Sequence, residues 1–234
     1  MPLIELKNIY KTYKDGELLV PVLKDVSFSI EEGEFVTIMG PSGSGKSTLL
    51  NIIGCLDKPT EGEYYLEDML INNLKDRQLS NIRNNFIGFV FQHFHLLSHL
   101  KAHENVELPM IYNGIFEKER RPKVEEALKK VGLGDRLNHK PSQLSGGEKQ
   151  RVAIARSIAM GPDLILADEA TGALDSVAGD NIMEIFKTLN EAFGMTIIQV
   201  THSRPIALKS QKIIHILDGK INKIEYIDEG EVVC

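Results

Sequence analysis

The stretch Gly40-Pro41-Ser42-Gly43-Ser44-Gly45-Lys46-Ser47 constrains this chain more than any other, because it conforms to G-x-x-x-x-G-K-[ST] and Thr48 follows directly. It lies between an apolar run ending at Met39 and a segment, Lys46 to Gly54, that reads as a helix. That placement gives the pattern its physical meaning. Glycines let the backbone wrap closely enough for successive N–H groups and a helix N-terminus to face a phosphate chain. Lys46 adds a point charge toward the β and γ phosphates, and the Ser47 hydroxyl is placed to ligate Mg²⁺. The bland alternative is a Gly/Ser-rich turn that merely resembles the motif, and the flanking strand and helix count against it.

A phosphate loop needs a carboxylate across the cleft. Leu164-Ile165-Leu166-Ala167-Asp168-Glu169 is an apolar strand ending in two acids, at the carboxyl edge where open α/β sheets bind ligands. Asp168 is the candidate holder of Mg²⁺ through its water shell. Glu169, one residue on and pointing elsewhere, is the candidate to polarise an attacking water. Standing alone, the pair reads equally as a capping Asp-Glu.

Periodicity places these motifs in an alternating α/β order. Leu3 to Tyr10 alternates as a strand, Lys14-Asp15-Gly16 is a turn, and Val26 to Ile30 and Phe35 to Met39 are apolar runs, so the opening third is mostly strand. Val124, Ala127, Leu128 and Val131 fall on one helical face, with entry near Pro122, and the middle of the chain from about Gln92 to Ser145 is helical. A helix from Gly147 to Met160, a strand Leu164 to Asp168, a helix from Ser176, a strand Thr196 to Val200 and a last strand ending at Asp218-Gly219 complete the order. Strands alternating with helices predict a parallel α/β core with the helical stretch as an insert.

Composition bounds the partners. The 234 residues carry 27 Lys+Arg against 33 Asp+Glu, a net charge of −6, so any anion must be gripped locally and no general hold on nucleic acid is expected. Cys55 and Cys234 form no disulfide framework or metal spacing, which points to a reducing compartment. No segment approaches the roughly 18 apolar residues of a membrane span. His93, His95, His99 and His103 cluster, and His99 and His103 have i, i+4 spacing. No cysteine or carboxylate pattern completes a metal site there, and a surface that meets a partner is the favoured reading.

Leu144-Ser145-Gly146-Gly147-Glu148-Lys149-Gln150 supplies a Ser N-cap and two glycines opening a helix, a second anion-seeking helix start in one chain. With it the sequence resembles the ATP-binding subunits of ABC transporters, whose signature is LSGGQ, over essentially its whole length. The resemblance implies an α/β P-loop NTPase core with an antiparallel β subdomain and a helical insert. As one ABC ATPase domain it would divide into a core (1–91 and 146–234) and a helical subdomain (92–145). It implies ATP hydrolysis with Mg²⁺ by a head-to-tail homodimer, in which Ser145, Gly146 and Gly147 of one copy close on the γ-phosphate held by the other.

Further positions match family motifs individually. Tyr13 matches the aromatic that stacks on adenine, and a core strand aromatic is its alternative. Gln92 matches the Q-loop glutamine, which reaches Mg²⁺ and the attacking water and senses the membrane partner. Asp175 matches the D-loop aspartate at the dimer interface, though unaided it reads as a helix N-terminal charge. His202 matches the switch histidine contacting the γ-phosphate. Ala170, Glu148 and Ser203 depart from the usual Pro, Gln and Asp.

The run from Ile87 to Gln92, Leu96-Leu97, Glu104 to Pro109 and Asp168 to Asp175 look most like the subgroup holding macrolide-efflux (MacB-type), lipoprotein-release (LolD-type) and peptide-resistance ATPases. That implies a cytoplasmic motor, peripheral on the membrane, docking on a separate permease through the Gln92 to Pro109 region. The alternative is a non-transport ABC ATPase, either a coupler like the cell-division ATPase FtsE or a soluble regulator.

Overall fold

The computed structural model describes residues 2–227, so Cys234 lies outside the described residues. Long antiparallel strands β1 (Pro2–Asp15) and β2 (Leu18–Glu31) lead into β3 (Phe35–Met39) and the phosphate-loop helix α1 (Lys46–Ile53). Then come β4 (Glu61–Leu66), β5 (Met69–Leu70), α2 (Asp76–Phe86) and β6 (Ile87–Phe91). Helices α3 (Ala102–Tyr112) and α4 (Glu117–Lys130) precede α5 (Gly146–Ile158) and β7 (Leu164–Asp168). The remainder is α6 (Ser176–Phe193), β8 (Thr196–Thr201), α7 (Arg204–Ala207), β9 (Lys212–Leu217) and β10 (Lys220–Tyr226).

Two sheets result. The smaller is antiparallel, in the order β2-β1-β4-β5, and the larger runs β10-β9-β3-β8-β7-β6. From β9 to β6 the larger sheet is parallel. Parallel sheets are covered on both faces, which is why their strands are apolar throughout; β7 and β8 are buried almost end to end. Alternate residues feed opposite cores. Leu164 and Leu166 pack with α1 and the antiparallel sheet, whereas Ile165 and Ala167 face the layer of α3 to α6.

Strand order fixes where the site lies. β3, β8, β7 and β6 are consecutive neighbours, with Met39 opposite Thr201, Asp168 opposite Val200 and Phe91 opposite Asp168. The loops leaving these ends therefore emerge side by side at one carboxyl edge.

Several boundaries differ from those expected. The helix expected to enter near Pro122 begins at Glu117 and carries that proline inside it. Glu117 and Glu119 suit the positive helix end. Arg120 fastens the start to α3, its Nε on Glu107 Oε1 and its Nη1 on Ile115 O, both at 2.6 Å. Asp218-Gly219 does not end the last strand but turns a hairpin into β10, whose alternation is broken by a register shift between Ile221 and Lys223. α5 starts and stops one or two residues early, and β8 includes Thr201.

Candidate functional site

The phosphate loop is shaped by contacts that only glycine allows. A Cβ on Gly40 would lie 2.2 Å from the Ile216 carbonyl oxygen, and Gly45, the residue capping α1, has φ +101°. Lys46 is buried and donates from Nζ to the Pro41 carbonyl at 2.8 Å, so its ammonium is curled over the loop. The Ser44 hydroxyl is buried without a hydrogen-bond partner among the described residues. Behind the loop, Gly219 N–H donates to the Ser44 carbonyl at 3.1 Å and the Gly219 carbonyl accepts from Lys24 N–H at 2.8 Å. The β9–β10 turn thus braces the loop, a role that no motif announces.

A cleft of about 500 Å³ opens over the loop. Ser42, Gly43 and Gly45 to Thr48 line it from the loop and α1, Gln92, Asp168, Glu169 and His202 line it from the strand ends, and Val22 from β2 also lines it. Each of the four facing residues sits at or just after the carboxyl end of β6, β7 or β8. Burial pushes the Asp168 carboxyl above its ordinary value, the Glu169 charge pushes it further, and Lys46 counters both. Glu169 turns away from its neighbour through a left-handed backbone, φ +48°, with its N–H bonded to the Val200 carbonyl at 3.0 Å. Its Oε1 lies 3.0 Å from Nδ1 of His202. The result is a carboxylate within hydrogen-bond reach of an imidazole, in the cleft over the phosphate loop.

Tyr13, Gly40, Pro41 and Ser44 do not line this cleft. The last three form or back the loop, and Tyr13 stands beside Thr48, its hydroxyl donating to Asp57 Oδ2 at 2.8 Å. Ser145, Gly146 and Gly147 lie elsewhere, with Asp175, in a separate surface cavity of about 260 Å³ that shares no lining residue with the cleft. There Ser145 Oγ accepts Glu148 N–H at 3.2 Å and Glu148 Oε2 accepts Ser145 N–H at 2.8 Å. Arg136 pairs with Glu148 at 3.3 Å, so the negative charge in the signature turn is folded back and matched. Asp175 caps α6 by accepting Ala178 N–H at 2.8 Å.

Gln150 is a site-supporting residue missed from sequence. Fully buried in α5, it donates from Nε2 to Phe91 O at 3.2 Å and to Ala170 O at 2.8 Å, joining the backbone before Gln92 to that after Glu169. In the histidine cluster, His103 Nδ1 meets Leu137 O at 2.9 Å and His95 packs edge-on against Phe91. Among the described residues no group of three or more His, Cys, Asp or Glu is arranged to hold a metal, and no helix is long and apolar enough to cross a membrane.

The family model for ABC transporters matches residues 23–172. The chain belongs to the ABC transporter family. It is 55% identical over 227 residues to the uncharacterized ABC transporter ATP-binding protein MJ0796 of Methanocaldococcus jannaschii, covering 95% of this chain and 97% of that protein. It is 52% identical over 221 residues to the macrolide export ATP-binding/permease protein MacB of Aggregatibacter actinomycetemcomitans. That match takes in 94% of this chain but only 34% of MacB, so the chain spans about a third of that protein's length. The dimeric structure of a post-hydrolysis state of the ATP-binding cassette MJ0796, bound to ADP and Pi, superposes with a TM-score of 0.87 at 52% identity. It covers 96% of this chain and 99% of that one. This ABC chain is an ATP-binding ATPase with the P-loop fold of its family.

Proposed function

We propose that the chain is the motor of a MacB- or LolD-type exporter or extractor of peptides, lipoproteins or drugs, working as a homodimer that sandwiches two ATP molecules. The observation that carries the dimer is the separation of the two anion-seeking helix starts. Lys46 and Ser47 face one cavity and Ser145 to Gly147 another, so a signature that reaches the γ-phosphate comes from a second copy. The dimeric MJ0796 structure supports the same reading. The permease proposal draws on MacB, a macrolide export ATP-binding/permease protein. Here that partner would dock on the region from Gln92 to Pro109 and hold the motor at the inner membrane face. Residues 92–145 would act as a helical subdomain against a core of 1–91 and 146–234.

Residue roles follow from the cleft. The loop's N–H groups and the α1 terminus take the phosphates, and Lys46 swings from the Pro41 carbonyl onto the β and γ oxygens. The Ser47 hydroxyl, Gln92 amide oxygen and Asp168 carboxylate are hard oxygen donors lining the same cleft, and they fit Mg²⁺. Held by these three residues, Mg²⁺ would supply positive charge to neutralise the phosphates. Glu169 accepts a proton from the attacking water while the bond between the γ-phosphorus and the bridging oxygen breaks, releasing ADP and phosphate. His202 orients Glu169 through the 3.0 Å contact and faces the γ-phosphate. Asp175, beside the signature turn, belongs to the dimer interface.

Glu169→Gln should cut turnover by about a hundredfold or more while ATP affinity holds. With ATP it should elute as a dimer in size-exclusion chromatography; a strictly monomeric variant saturated with ATP would overturn the sandwich. Lys46→Ala should abolish ATP binding in calorimetry.

A further inference from the structure

Tyr13 has its ring gripped at one face and at its edge. Lys11, two residues earlier and so on the same face of β1, holds Nζ 4.8 Å from the ring centroid. That ammonium is itself fixed, donating to Asp57 Oδ1 at 2.6 Å and to Lys58 O at 2.7 Å, with only 9% of the residue exposed. The second oxygen of Asp57 accepts the Tyr13 hydroxyl at 2.8 Å, and the first also accepts Lys58 N–H at 2.7 Å. Every oxygen of that carboxylate is therefore engaged. Burial pushes the Asp57 carboxyl up, but Lys11, Tyr13 and the Lys58 N–H outweigh it and hold it below the usual range.

The grip is anchored to the phosphate loop. Asp57 N–H donates to the Asn51 carbonyl of α1 at 3.2 Å, so the loop carrying Asp57 is fastened to the helix whose other end forms the nest. Thr12 N–H donates to Thr60 Oγ1 at 3.0 Å and Thr60 N–H to Tyr10 O at 2.8 Å, fastening β1 to the same loop on either side of Lys11. Despite these contacts Tyr13 remains 39% exposed, and Thr48 beside its hydroxyl lines the cleft.

We propose that Asp57 and Lys11 are positioning residues for the nucleotide base: they hold the Tyr13 ring as a preformed platform whose free face receives adenine. This rests on the reading of Tyr13 as the stacking aromatic. Binding to a mobile ring costs the freezing of that side chain, and a ring already fixed avoids it. Removing either support should therefore weaken ATP about fivefold and leave a ligand without a base unaffected.

Calorimetry of the full chain with Mg·ATP and with Mg·tripolyphosphate tests this, on Asp57→Ala, the volume-conserving Lys11→Met, and Tyr13→Ala. The expected result is a loss of about fivefold for ATP, with tripolyphosphate affinity unchanged, in both support variants. Equal weakening of both ligands would mean that the cluster merely holds the phosphate loop's fold, and would overturn the proposal. Unchanged ATP affinity in the support variants, with a loss confined to ATP in Tyr13→Ala, would overturn the proposal alone. Unchanged ATP affinity in Tyr13→Ala would overturn the stacking reading and the proposal with it.

Discussion

Glu148 puts a carboxylate into a turn built to attract anions, and its neighbours decide whether that matters. The Ser145 N–H, the Ser145 hydroxyl and Arg136 hold its carboxyl below the ordinary carboxylate range, against the opposing effect of burial. A depressed folded value means the ionised form stabilises the fold above the unfolded carboxylate pKa of about 4.3; that contribution disappears as pH falls through the lower folded value. Glu148→Gln keeps an uncharged, weaker bond to Ser145 N–H and loses the partly exposed pair with Arg136, the latter worth about 0.2–1 kcal/mol. Its melting temperature should sit slightly below wild type at pH 7, and the gap should close as pH drops below about 4. A gap that widens in acid would refute the pairing. Cys55 makes a second residue-level case, because burial raises its thiol to about 11. In a Cys234→Ser chain, iodoacetamide at pH 8 should leave the native protein unlabelled and modify it only in denaturant. Chemistry at fixed spacing made Lys46, Asp168 and Glu169 legible from sequence. Val22, Lys11, Asp57 and Gln150 were not, since the cleft wall or hydrogen-bond partner that gives each its place lies 20 or more positions away and packing alone brings it close.

Elements were legible where one period or one motif governed them. The strand Leu164 to Asp168 and the helix opening at Ser176 match the expectation. β10 carries a register shift that breaks its alternation, and α4 runs through a proline because Arg120 and the acidic first turn favour an earlier start. Neighbour relations among elements carry no local signature, and Gly88 shows the consequence. It sits in β6 where α5 crosses so closely that a Cβ would lie 2.5 Å from the Ser157 carbonyl oxygen. Gly88→Val must push α5 away from the sheet, which overpacking data put at about 1–3 kcal/mol. The urea midpoint should fall accordingly, and an unchanged midpoint would show that α5 and β6 are farther apart in solution.

At the scale of the whole molecule, the two helix starts that look alike in sequence line different cavities. α1 opens under the cleft, and α5 opens onto another surface beside Asp175. On the proposed sandwich, one chain would hold ATP without its own signature, and that signature would act on a neighbour's nucleotide. Gly146→Asp separates these functions. Residue 146 begins α5, where a carboxylate suits the helix end, and an added Cβ meets nothing nearer than 3.4 Å. The fold should stand, while the new charge repels a γ-phosphate presented from outside. Introduced into the Glu169→Gln chain, it should leave the monomer's ATP affinity unchanged in calorimetry and abolish the ATP-dependent dimer peak. If the substitution instead weakened ATP binding in the monomer, the signature would be serving its own chain's nucleotide. If the dimer persisted undiminished, the signature turn would not lie at the interface at all.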